Sequence, residues 1–257
     1  MFSSPEMQLV YRVANAPIQM FPYPHILVQD VFPEDFYGEL RRHLPPRTAY
    51  KSLKAMGRVG RDYPDTRAVL PLTPHEVAAL SEPYRSFWET TASWLLGVGC
   101  PFGSIVLQKF APLLTQRFAD PSAVEFHHEV LVVQDRTDYS LGPHTDSPSK
   151  VISMLLYLPA DASMPHLGTS MYVPKDPSFT CPGGPHYEFD GFNRVLTAPY
   201  VPNTLFAFLK TPNAFHGVEP IAEPNVERAL LLYDIAVKAV PAAPPEPEIK
   251  PRTQFSF

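Results

Sequence analysis

Cysteine is nearly absent: the 257 residues contain two, Cys100 and Cys181, with no CxxC spacing. That excludes a disulfide framework and predicts a reducing, cytoplasmic setting. Charge is scarce as well. Asp, Glu, Lys and Arg make up 18% of the chain and leave a net charge of −5, against a usual charged share of ~25%. Such a sparsely charged, mildly acidic chain argues against a nucleic-acid or membrane-surface partner. No run approaches the ~18 apolar residues of a membrane span. The N-terminus, MFSSPEMQLVYR, lacks the basic stretch and apolar run of a signal peptide.

What the chain has in excess is proline, 32 residues against a usual share of about 5%. Each proline inside a helix costs ~3 kcal/mol, so a helical bundle is excluded. With 45% hydrophobic residues the chain is not depleted like a disordered one. Short strands joined by many proline-bearing loops fit both numbers, in a single domain built as a barrel or sandwich.

Along the chain, residues 1–30 read as extended entry structure. Pro33-Glu34-Asp35 opens a helix with Phe36, Leu40 and Leu44 on one stripe, stopped by Pro45-Pro46. A loop follows to about residue 73, then a helical stretch from Pro74 to about Leu96, N-capped by Thr73 and open to splitting at Pro83. From Gly103 the period changes to that of strands. They are expected at 105–107, 124–133, 151–158, 169–173, 195–198, 204–209 and 229–237. This gives a helical support over 1–102, a jelly-roll or barrel core over 103–237 and a proline-rich tail over 238–257.

The chemistry concentrates in Gly142-Pro143-His144-Thr145-Asp146, directly before the apolar run VISMLLYL. An HxD spacing alone is common. Here His216 follows 70 residues after Asp146, in Asn213-Ala214-Phe215-His216-Gly217-Val218, and Arg228 opens the apolar strand ALLLYDIAV. A charge at the head of a buried strand demands a partner. Two neutral imidazoles and a carboxylate on one side of Fe(II) leave the other side open for a bidentate ligand and O₂. Residues 144 and 146 point the same way on a strand end, because side chains repeat every two residues.

With these residues in order, the sequence resembles the Fe(II)/2-oxoglutarate-dependent oxygenases, nearest in layout to the prolyl-hydroxylase-like branch. The pattern covers about residues 103–237. It comprises HxD, an apolar strand ending Tyr-Leu, the GT-containing segment Gly168-Thr169-Ser170-Met171-Tyr172, a distal His-x-Val and a basic residue on the last strand. The resemblance implies a mainly β fold, a double-stranded β-helix with N-terminal α-helices packed on it. It implies Fe(II) on His144, Asp146 and His216, 2-oxoglutarate as cosubstrate with its far carboxylate on Arg228, and O₂ as oxidant. Tyr157 matches a tyrosine that bonds that carboxylate in this branch. The small hydroxyl residue usual four positions after the basic one is replaced here by Leu232, so Tyr139 is a further candidate. Halogenating relatives lack the carboxylate that Asp146 supplies. The implied reaction is therefore hydroxylation of an unactivated C–H bond, or desaturation or ring closure, with release of succinate and CO₂.

Other residues are weaker candidates. His127 and His128 face opposite sides of a strand and cannot share a metal, although His128 could line a substrate pocket. His166 and His186 lie in Pro/Gly loops and read as solvated. The loop at 47–67 is rich in Lys and Arg, and Arg58 and Arg61 could grip an anionic substrate. Lys150 could reach the pocket mouth, and Arg117 could touch substrate. No HxH pair exists, which lowers a cupin-type site. The expected substrate is a small or carrier-linked polar or anionic metabolite, with a peptidyl residue as the alternative. A binding or sensor jelly roll without turnover is the rival of another class. The sequence leaves oligomeric state open.

Overall fold

The computed structural model describes residues 4–60, 63–97 and 101–237. Its organisation follows from strands that are apolar on both faces. In β6 (Lys150–Tyr157), Ile152, Met154 and Leu156 face one way and Leu155 and Tyr157 the other. The same alternation runs through β4 (Phe126–Arg136), β9 (Thr204–Leu209) and β11 (Glu227–Val237). A strand with two apolar faces must be covered on both. These four, with β1 (His25–Val28), β2 (Lys51–Ser52) and β3 (Arg67–Pro71), form an antiparallel sheet in the order β1-β9-β6-β11-β4-β3-β2.

Helices cover the outer face: α1 (Pro5–Asn15), α2 (Glu34–Arg42), α3 (Pro74–Ala78), α4 (Tyr84–Leu96) and α5 (Pro101–Leu114). Leu9, Leu40, Trp88 and Phe102 enter one core with the outward strand residues. A second sheet, order β5-β10-β7-β8, covers the inner face. It consists of β5 (Leu141–His144), β7 (Thr169–Pro174), β8 (Phe192–Ala198) and β10 (His216–Val218). Between the sheets lies a second core in which Leu131, Leu155, Phe206 and Phe208 meet Leu141, Met171 and Val218. Two facing antiparallel sheets with helices on one side make the expected jelly roll.

Several local expectations are corrected. Residues 105–107 lie in helix α5, because Phe102, Val106, Phe110 and Leu114 recur every four residues and are all buried. The entry segment contains α1, where Pro5 takes a first-turn position and Ser4 accepts a hydrogen bond from Met7 N. The loop before Thr73 holds β2 and β3. The 74–96 stretch does split before α4, and Thr73 accepts from Glu76 N as its cap. By composition alone Tyr84–Leu114 is apolar enough to cross a bilayer. Its Trp88, Leu95, Phe102, Val106 and Phe110 are instead spent in the protein's own core. Cys100 and the 238–257 tail lie outside the described residues.

Among the polar ties between the helical layer and the sheet, one is made on both sides by a single side chain. Asn203, in the turn before β9, has a left-handed backbone (φ 56°). Its side chain donates to Phe32 O at 2.7 Å and accepts from Phe32 N at 2.9 Å. Asn203→Ala removes both bonds and keeps the strained backbone, so it is expected to cost about 2–4 kcal/mol in chemical denaturation. Asn203→Gly should recover the backbone part only. A loss below about 1 kcal/mol for the alanine variant would show that the tie is dispensable.

Candidate metal centre

Strand register builds the centre. β5 and β10 run antiparallel with His216 directly opposite His144, and their rings lie 4.3 Å apart between centroids. The strands approach so closely that a Cβ on Gly217 would meet Leu141 O at 2.5 Å. Glycine is required there. Asp146 follows two residues after His144, and its Oδ2 lies 3.9 Å from His216 Nε2. One ligand atom from each of the three side chains lies within 4.8 Å of the other two, and all three residues are buried.

The histidines are fixed in one tautomer. Nδ1 of His144 lies 3.0 Å from Gly142 O and Nδ1 of His216 lies 3.0 Å from Ala214 O. A carbonyl only accepts, so each Nδ1 carries the proton and each Nε2 presents a lone pair. Burial, and for His144 the neighbouring His216, hold both rings below the usual histidine range, so they are neutral at neutral pH. Burial alone would raise the Asp146 carboxyl. The Lys150 ammonium, helped by the hydrogen bond from Ser153, outweighs it and keeps the group ionised. Two neutral nitrogen donors and one carboxylate converge, the donor set suited to a divalent first-row metal with open positions.

These groups line a cavity of about 950 Å³ that extends to Arg58, Tyr63 and Arg67 on the 53–67 side and to Thr169 at the head of β7. One wall is the 181–188 loop, held to the metal strand by a Thr145 Oγ1 bond to Cys181 O and a Tyr187 N bond to Pro143 O, each 2.9 Å. Gly183 (φ 135°) packs there on Asp146 O, where a Cβ would approach to 2.3 Å. The loop delivers His186 to the cavity, 4.6 Å from the His144 ring. His186 is exposed, as its Pro/Gly surroundings predict, and it also borders the cavity.

Two polar rows cross the inner face of the large sheet. In the first, Arg228 on β11, Asp135 on β4 and Arg67 on β3 stand directly opposite one another. Arg67 makes a two-point fork to Asp135 at 2.6 and 2.7 Å, and Arg228 Nη1 donates to the same carboxylate at 2.6 Å. Two guanidiniums against one carboxylate leave a positive charge in excess. Arg228 is completely buried, also donating to Leu167 O and, at 3.4 Å, to Thr169 Oγ1. It does not face the cavity; Arg67, lying over the Tyr139 ring, does. The second row sets Ser153, Asp234 and Glu129 side by side on β6, β11 and β4.

The remaining sequence candidates divide. Lys150 lines the cavity, bridging Asp146 at 3.2 Å and Asp234 at 2.9 Å. Arg58 also lines it, but its guanidinium forks onto Glu129 at 2.9 and 2.6 Å. Lys51 and Lys54 of the same segment are likewise paired, with Glu76 and Asp65. The loop's cations are thus largely neutralised within the fold, which corrects the picture of a basic lid. Tyr157 lies behind the cavity wall, its hydroxyl accepting from Thr169 N at 3.0 Å. Tyr139 is buried beneath Arg67. His128 is on the outer face of β4, bonded to Tyr233 Oη at 3.0 Å, and cannot line the pocket. Arg117 is spent on the carbonyls of Pro148 and Lys150. Arg61 lies outside the described residues.

Sequence reasoning named Arg67 only as one of the cations of the 47–67 loop and His186 only as a solvated residue, and it did not single out Ser153, Asp234 or Tyr63. Asp234 carries the signal that marked Arg228, a charge inside an apolar strand.

No protein-family model matches the chain, and no curated protein matches it in sequence. Solved structures do match. A prolyl hydroxylase from Trichoplax adhaerens, in complex with a hypoxia inducible factor peptide fragment, superposes with TM-score 0.50 at 11% identity over 90% of each chain. A Pseudomonas putida prolyl-4-hydroxylase gives 0.48 at 15% identity, over 90% of this chain and 98% of that one. The Arabidopsis thaliana dioxygenase for auxin oxidation gives 0.48 at 11%, over 93% and 91%. The likeness to the first of these bears out the fold expectation: the chain shares the jelly roll of the Trichoplax adhaerens prolyl hydroxylase.

The Arg228–Asp135–Arg67 row makes a stability prediction. Asp135→Asn leaves two buried guanidiniums without their shared anion, so a loss of about 3–5 kcal/mol is expected in urea denaturation. A loss near zero would mean that both arginines are solvated when folded.

Proposed function

We propose that the chain is an Fe(II)- and 2-oxoglutarate-dependent oxygenase that hydroxylates a C–H bond of a small polar metabolite. The observation that carries this reading is the His144–Asp146–His216 cluster, buried, tautomerically fixed and open to one large cavity. The donor set fits ferrous iron, which those three side chains would hold. When bound, it supplies activation of O₂ coupled to decarboxylation of 2-oxoglutarate, chemistry that no side chain can perform.

The protein's own part is placement. The two carbonyl-held imidazoles keep their lone pairs aimed at one point, and Asp146 keeps its charge at any ordinary pH. The far end of the cavity is where an acidic cosubstrate belongs. Arg67 faces it with two of its three nitrogens on Asp135, and Arg228 behind adds charge through that shared carboxylate. Thr169 and Tyr63 offer hydroxyls beside it. Arg228 thereby contributes to anion binding from the second layer, and Arg67 makes the contact. His186, in edge contact with the His144 ring, and Tyr63, 5.9 Å from His186 between ring centroids, line the cavity beside the triad and shape the space for substrate. The charged and hydroxyl groups set among the apolar lining, Arg67, Lys150, Tyr63 and Thr169, suit a small polar substrate.

Two measurements test this. Under anaerobic conditions, Fe(II) with 2-oxoglutarate should give a weak visible charge-transfer band in the wild type that His216→Ala abolishes. No band, or an undiminished one in the variant, would refute the iron assignment. Arg67→Met should weaken 2-oxoglutarate about tenfold or more while metal binding persists. Unchanged affinity would remove Arg67 from the anion site.

A further inference from the structure

The Asp146 carboxylate is held on both oxygens. Ser153 Oγ donates to Oδ2 at 2.6 Å. The Lys150 ammonium lies 3.2 Å from Oδ1 and is itself held by Asp234 at 2.9 Å. Asp234 stands next to Ser153 across the β6–β11 pairing, so the four groups close a ring on the cavity wall. None belongs to a loose surface pair: the Lys150 side chain is 24% exposed and the Asp146 and Asp234 side chains 9% and 7%. An ammonium against a metal-ligating carboxylate opposes a divalent cation by simple Coulomb repulsion. Its presence there calls for a function other than tight metal binding.

We propose that Lys150 is a positioning residue that confines Asp146 to a single ligating oxygen and so keeps one position on the metal open for O₂. The inference rests on the oxygenase reading and deepens it. An ion held by His144, Asp146 and His216 would, if octahedral, take a chelating 2-oxo acid at two further positions and have one left. A carboxylate that chelates through both oxygens fills that last position. Oδ2 is the oxygen on the histidine side, 3.9 Å from His216 Nε2. Oδ1 is the one that Lys150 withholds. Asp234 fixes the ammonium at Oδ1, and Ser153 fixes the rotation of the carboxylate by bonding the other oxygen.

The test uses the full chain with Lys150→Met, with Lys150→Arg and with the pair Lys150→Met/Asp234→Asn. In the pair one cation and one anion leave together, so the local net charge is unchanged. Co(II) is titrated first and followed by its visible d–d absorption. Anaerobic Fe(II) with 2-oxoglutarate comes next, and O₂-dependent decay of 2-oxoglutarate last. Both forms carrying Lys150→Met are expected to bind Co(II) about tenfold more tightly, with weaker d–d absorption as the coordination number rises. They should keep the 2-oxoglutarate band and lose O₂-dependent decay at least about tenfold. Lys150→Arg, which keeps the cation, should behave as wild type. Unchanged or weaker Co(II) binding in a folded Lys150→Met form overturns the proposal, as does O₂-dependent decay at the wild-type rate. Should Lys150→Met not fold, the charge-neutral pair is read by the same criteria, and failure of both to fold assigns Lys150 to stability instead. A wild type with no band on Fe(II) and 2-oxoglutarate refutes the oxygenase reading, while the Co(II) series still decides whether Lys150 restrains Asp146.

Discussion

Burial of the seven-stranded sheet on both faces is the constraint from which the rest of the architecture follows. A polar side chain on its inner face has no water to turn to, so it must find its partner on the strand beside it, in register. Arg228, Asp135 and Arg67 do this across three strands, whereas Ser153, Asp234 and Glu129 stand in register but take their partners from outside the row, in Asp146, Lys150 and Arg58. The first row is therefore a register lock. A slip of one residue would turn every member of the row into the helical core.

The rows also explain why the cavity is electrostatically uneven. One crosses the sheet with two guanidiniums and one carboxylate, giving a surplus of positive charge next to Thr169 and Tyr63. The other carries carboxylates, balanced by Lys150 on one side and Arg58 on the other. The triad adjoins the acidic row, and the cationic row faces it along the same chamber. A molecule with a metal-chelating head and a free carboxylate tail would be oriented by that difference.

Much of this was legible in the sequence, and the failures have physical causes. VISMLLYL, TLFAFL and ALLLYDIAV read as strands because burial on both faces leaves no polar interruptions to confuse the period. Ile105-Val106-Leu107 also read as a strand, since three apolar residues carry no period. Only the four-residue recurrence of Phe102, Val106, Phe110 and Leu114 reveals helix α5. β2 has two residues, and β3 opens on Arg67 and closes on Pro71, so neither gave an alternating signal. The His144, Asp146 and His216 set was visible from residue type and order. The row through Asp135 was not, because its ion pairs join residues 68 and 93 positions apart. Sequence marked Arg228 as a buried charge needing a partner, which is correct. It could not say that the partner is Asp135, nor that Arg67 from the N-terminal part would take the exposed side of that anion.

Lys150 and Asp234 carry the same lesson one step further. On the strand pattern, Lys150 is an entry residue four positions after Asp146, and Asp234 is an interruption of an apolar run. Only the pairing of β6 with β11 places Asp234 beside Ser153 and sets Lys150 between the two carboxylates. A jelly roll can position two histidines and a carboxylate by backbone register alone, as the opposition of His144 and His216 shows. Register cannot decide how many oxygens of a carboxylate are free, because that depends on rotation about a side-chain bond. Control of that rotation has to come from groups that touch each oxygen separately, and here Ser153 and Lys150, both on β6 of the large sheet, are those groups.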